Sequence, residues 1–158
     1  MSATAAGYWA AIPTGVGVCG ALLIPRYATP DRRFLIIGTL CIAAVVASLC
    51  LHAGFGPILL FGLVLQGFVR GALTIILVLT LVEMPGVQER YAGTASGLFF
   101  SAAEVGGVAG PLTLGILYDI TGEFTAGLYL LTAIAATLTF AVLCLRSLTV
   151  RYQERNVG

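Results

Sequence analysis

Apolar residues run along this chain in long blocks, with none of the strict polar–apolar alternation of half-buried strands. Five blocks stand out, at about 8–24, 34–51, 58–82, 92–118 and 126–145. Crossing the hydrocarbon core of a bilayer as a helix takes about 20 mostly apolar residues, because each backbone polar group must find its partner within the segment. The first, second and fifth blocks carry no charge; the third is interrupted by Arg70 and the fourth by Glu104. Transmembrane β-strands would be about half as long and would alternate, so a barrel is excluded. Breakers separate the blocks: Pro25 and Pro30, then Gly54, Gly56 and Pro57, then Pro85 and Gly86, then Gly122. The expected fold is all-α, a polytopic bundle of five transmembrane helices. Its short connectors make consecutive helices up-and-down neighbours. Residues 1–146 form the membrane domain and 147–158 a short polar tail, read as a cytoplasmic helix extension or fray. No second domain, soluble linker or low-complexity segment is evident.

Composition sharpens this picture. Hydrophobic residues make up 59% of the chain and charged ones 9%, against about 25% charged in soluble domains, so the expected solvent is a lipid bilayer. The same balance excludes disorder. A net charge of +1 points to no nucleic acid and no acidic partner. Every basic residue is Arg, and their placement sets the topology. Arg26, Arg32 and Arg33 lie in the first connector, Arg90 in the third, and Arg146, Arg151 and Arg155 at the C-terminus, while the second and fourth connectors hold none. The positive-inside rule then puts connectors one and three and the C-terminus in the cytoplasm, with the N-terminus outside. A multi-pass protein of the plasma or inner membrane is expected. Residues 1–7 lack a basic region and a convincing cleavage site, so no removable signal peptide is expected. Cys19, Cys41, Cys50 and Cys144 sit in apolar stretches without metal-ligand spacing. They read as small fillers, and no cofactor or metal is expected.

Arg70 lies 13 residues before Glu83, and Glu104 lies 14 residues after Arg90. Each is therefore about 20 Å along its helix from the same cytoplasmic edge, near the midplane. An ionised side chain at that depth is costly unless it faces a partner or a wet cavity, which makes both candidate site residues. Two readings stay open: a structural salt bridge between the third and fourth helices, or a pathway in which Arg70 attracts an anionic or polar substrate and Glu104, if buried, carries a coupling proton. Gln66 and Thr74, one turn either side of Arg70, extend a polar stripe on the third helix. Gly97, Ser101 and Glu104 share a face of the fourth. GxxxG spacings at Gly67 and Gly71, Gly93 and Gly97, and Gly106 and Gly110 allow close helix approach. The run 106–115, with Pro111 inside it, predicts a bend or close crossing there. A catalytic reading fails: the nearest approach to a serine nucleophile motif is 93–97, one residue too long. The single histidine, His52, belongs at the opposite membrane edge from Ser96. No enzyme activity is expected.

The pattern resembles the C-terminal half of a major facilitator superfamily transporter, whose twelve helices form two six-helix halves. The resemblance covers essentially the whole chain, the five blocks looking like that family's eighth to twelfth helices. It implies that the charge-free blocks at 34–51 and 126–145 face lipid and that the charged ones line a central cavity. The stretch 20–26, ending Pro25-Arg26, followed by Asp31-Arg32-Arg33, is similar to the basic loop between the family's eighth and ninth helices, with its usual core degraded and stretched. The role implied for Arg26, Asp31, Arg32 and Arg33 is gating. Gly106, Gly110 and Pro111 fall in a run similar to the family's glycine-proline motif. The texture is also similar to the cyanate and nitroimidazole permease branch.

The resemblance implies ion-coupled transport of a small, anionic or polar solute by a chain that lacks the N-terminal half of the transporter. The alternative is a non-transporting membrane scaffold or assembly subunit that docks through its GxxxG faces.

Overall fold

The computed structural model describes residues 3–53, 56–84 and 87–157. They form five helices: α1 (Ala3–Tyr27), α2 (Arg33–Cys50), α3 (Pro57–Val82), α4 (Gln88–Thr121) and α5 (Thr125–Val157), with one 3-10 turn at Pro30–Arg32. All five contain a stretch long and apolar enough to cross a membrane, and no strand occurs among the described residues. The breakers act mostly as local chemistry dictates. Thr29 is held extended (φ −63°, ψ 152°) by the proline after it. Pro57 opens α3 from its first position, where a missing N–H costs nothing. Gly122 adopts φ 72° and donates its N–H to the Tyr118 carbonyl at 2.8 Å, closing α4 as a left-handed cap. Gly54, Pro85 and Gly86 lie outside the described residues. Pro25, expected to end the first helix, does not: α1 runs on to Tyr27. A proline disrupts only the bonding to the turn before it, so the helix can persist briefly beyond. The tail expected from 147 onward begins as helix, since α5 continues to Val157.

Helices α2, α3, α4 and α5 contact one another in a ring, and α1 packs on the outside of α3 alone. The core lies where α2 meets α3. Ile37, Leu40 and Cys41 of α2 pack with Val69, Ala72 and the wholly enclosed Ile76 of α3, and Ala28 closes the cluster from the first connector. The broadest contact is between α1 and α3. A Cβ on Gly71 would collide with the Gly17 backbone, one on Gly67 with the Pro13 backbone, and one on Gly20 with the Phe68 carbonyl. The two backbones therefore touch through glycine, as close packing in lipid favours.

Two expectations are corrected. Consecutive helices α1 and α2 are not packed neighbours, because α3, whose glycines match those of α1, stands between them. Within the chain the charge-free α2 is the most enclosed of the five spans, and α4 the most open. Finally, of the bend or close crossing expected over 106–115, no close crossing occurs at Gly106 or Gly110 among the described residues. Nothing lies within 4 Å of a Cβ built at either, and α4 runs as unbroken helix through Pro111.

Candidate functional site

Arg70 sits near the midpoint of α3, and the Gly67–Gly71 pair that brackets it lets α1 come against the same face. The result is a cleft of about 310 Å³ between the two helices, lined by Pro13, Thr14 and Val18 of α1 and by Arg70, Thr74 and Ile75 of α3. The Arg70 side chain is exposed, and no carboxylate pairs with it among the described residues. The Thr74 hydroxyl donates to the Arg70 carbonyl at 2.9 Å, so its proton is already used. Arg70 and Thr74 thus share one cleft, as their one-turn spacing suggests.

Gln66 does not join them. It lines a separate cavity of about 210 Å³, with Cys41, Ala44 and Ser48 of α2 and Leu131 and Ile134 of α5. Its Oε1 is buried without a hydrogen-bond partner among the described residues. The polar stripe splits because a four-residue step overshoots a full turn by about 40°. On a helix with α1 on one flank and α2 on another, that drift moves a side chain from one cleft to the next.

The same cavity borders a small polar cluster that the sequence did not reveal. Thr132 donates to the Leu128 carbonyl at 2.9 Å, so in its 2.7 Å contact with Ser48 it accepts the Ser48 hydroxyl proton. His52 Nδ1–H donates to the Ser48 carbonyl at 3.0 Å, and its ring leans on Tyr129 at 5.0 Å between centroids. These contacts tie the C-terminal end of α2 to the N-terminal part of α5. The His52 Nε2 is buried and unpartnered among the described residues.

Glu104 lies near the midpoint of α4 and is exposed, in a shallow depression formed with Val105, Val108, Ala109 and Leu112 of its own helix. Ser101 is exposed on α4 as well. Glu104 and Arg70 lie in different depressions, and no ion pair joins them. The burial that a proton carrier at Glu104 calls for would have to come from outside the described residues.

In the first connector Arg26 and Arg32 are exposed. Arg33 is not: only 11% of its side chain is accessible, its Nη2 lies 2.7 Å from Glu83 Oε2, and its Nε donates to the Ala28 carbonyl at 3.3 Å. This pair joins the start of α2 to the end of α3, so connectors one and three share one end of the bundle. The Asp31 side chain lies outside the described residues. Sequence reasoning also missed Thr14 and Val18. The clue was available in Gly17 and Gly20, whose small side faces make α1 a match for the Gly67–Gly71 face.

Compared with known proteins, the chain matches no protein-family model, no curated sequence and no solved structure.

Proposed function

We propose that this chain is one helical bundle of a secondary transporter, a partial half of the major facilitator superfamily type, that moves a small solute across the plasma or inner membrane. The observation that carries the reading is Arg70. A guanidinium halfway along a membrane-length helix, beside a cleft and without an internal counter-charge, is costly in hydrocarbon unless it serves a ligand or a partner. The open flank of α4, with Glu104 at its centre, supports the same reading. Transporters of this architecture place the substrate between two helical repeats, and the exposed face of α4 that carries Glu104 is left uncovered by the described residues. The cytoplasmic side is assigned to the Arg-rich end marked by the Arg33–Glu83 pair, with the N-terminus outside.

Uptake assays on proteoliposomes test this. The chain alone is expected to be silent, and the chain reconstituted with an N-terminal half is expected to take up solute. Normal uptake and pH dependence in both Arg70→Gln and Glu104→Gln would remove the reading. The scaffold alternative draws its support from the glycines of α4, which offer a docking face without requiring any pathway. A reading frame upstream of Met1 with seven further apolar spans would decide for the transporter, and a promoter directly before Met1 for the scaffold.

A further inference from the structure

We infer that the cleft between α1 and α3 is a binding site for a small organic monoanion, a short monocarboxylate, held by Arg70 and independent of Glu104. The inference rests on the transporter reading for its purpose but on the cleft alone for its chemistry. Arg70 supplies the only charge on the lining, so the site has no internal counter-ion and selects for negative charge. Guanidinium presents paired N–H donors that match the two oxygens of a carboxylate, a geometry that a lysine would not offer. One guanidinium neutralises one charge. A dianion would leave a second charge uncompensated in the membrane interior, which disfavours phosphate esters and dicarboxylates. Thr14 adds a hydroxyl to the lining, while the Thr74 proton is committed to the Arg70 carbonyl. The remaining walls, Pro13, Val18 and Ile75, are apolar and suit a short hydrocarbon body. A volume of about 310 Å³ stands at the low end of small-molecule pockets, which span roughly 300–1,000 Å³.

The backbone contact beneath the cleft fixes its width. Gly17 meets Gly67 and Gly71 with no side chain between, so α1 cannot move closer, and Arg70 is carried on the same turn as that contact. Glu104 takes no part, since its depression is formed by α4 residues alone.

The test is equilibrium binding of radiolabelled benzoate to the full chain in phosphatidylcholine nanodiscs. Saturable binding is expected, with neutral benzamide and dianionic phthalate each weaker by about tenfold or more. Arg70→Gln should weaken benzoate about tenfold or more, and Arg70→Lys by less. Absence of saturable binding, equal affinity for benzoate and benzamide, or unchanged benzoate affinity in Arg70→Gln would overturn the assignment. The benzoate and benzamide comparison uses the unaltered chain and stands even if Arg70→Gln misfolds. Loss of benzoate binding when phosphatidylglycerol replaces phosphatidylcholine would give the guanidinium to lipid headgroups and overturn it too. Binding without uptake in the complete transporter would leave this site standing and remove the transport reading. Uptake indifferent to Arg70→Gln would do the reverse.

Discussion

Two glycine-rich surfaces of this molecule start from the same residue type and finish in opposite conditions. Along the α1–α3 seam, Gly20, Gly67 and Gly71 lie so close to the facing backbone that a single added carbon has no room, and at Gly17 it would fit only tightly. Along α4, Gly93, Gly97, Gly106, Gly107, Gly110 and Gly115 face open space, and the large side chains beside them, Leu98, Val105, Val108 and Leu112, are exposed as well. A GxxxG spacing therefore licenses close approach without causing it. Association in lipid gains little from apolar burial, because the tails are as apolar as leucine, and depends on whether a second surface fits. For the α3 glycines that second surface is α1; for the α4 glycines the described chain provides none. The cleft that holds Arg70 is a by-product of the first condition, and the exposure of Glu104 a consequence of the second.

The largest expected effect tests the used surface. Gly71→Leu should separate α1 from α3 at a cost of about 3 kcal/mol, the upper range for overpacking a filled contact. Thermal unfolding in micelles followed by circular dichroism reads the loss, and unchanged stability would show that the seam is not a tight contact. A smaller effect, about 1 kcal/mol for a half-exposed ion pair, is expected from Arg33→Gln, which unties the start of α2 from the end of α3. A stability loss as large as that of Gly71→Leu would shift the weight of α3 packing from the glycine seam to this link. The smallest effect is expected from Gly110→Leu, within about 0.5 kcal/mol, as for substitutions that touch nothing. Stability lost in the isolated chain at Gly110 would break the comparison outright. A neutral result there, combined with lost function in an assembled transporter, would sharpen it by showing that the α4 face is occupied only by a partner.

The five helices, each long and apolar enough to cross a membrane, were legible in the residues, because hydropathy acts block by block. A run such as 126–145 needs no knowledge of its neighbours to be apolar, and it reappears inside α5. The start of α3 at Pro57 and the end of α4 at Gly122 were legible for a similar reason, being set by the dihedral limits of one or two residues. The candidate site was legible only in part. Arg70 and Glu104 stood out as charges in apolar runs, but residue spacing alone left open whether they meet, and it joined Gln66 to Arg70 although a 40° drift separates their clefts.

What the sequence determined by itself is the number of apolar helices and the breaks at Pro57 and Gly122. The tertiary structure decided which helix lies against which, which glycines are used, and which polar side chains share a cavity. The physical reason is the range of the forces involved. Transfer into hydrocarbon and backbone stereochemistry are properties of a segment, whereas packing between helices compares the shapes of two surfaces far apart in the chain, and no local pattern records that fit.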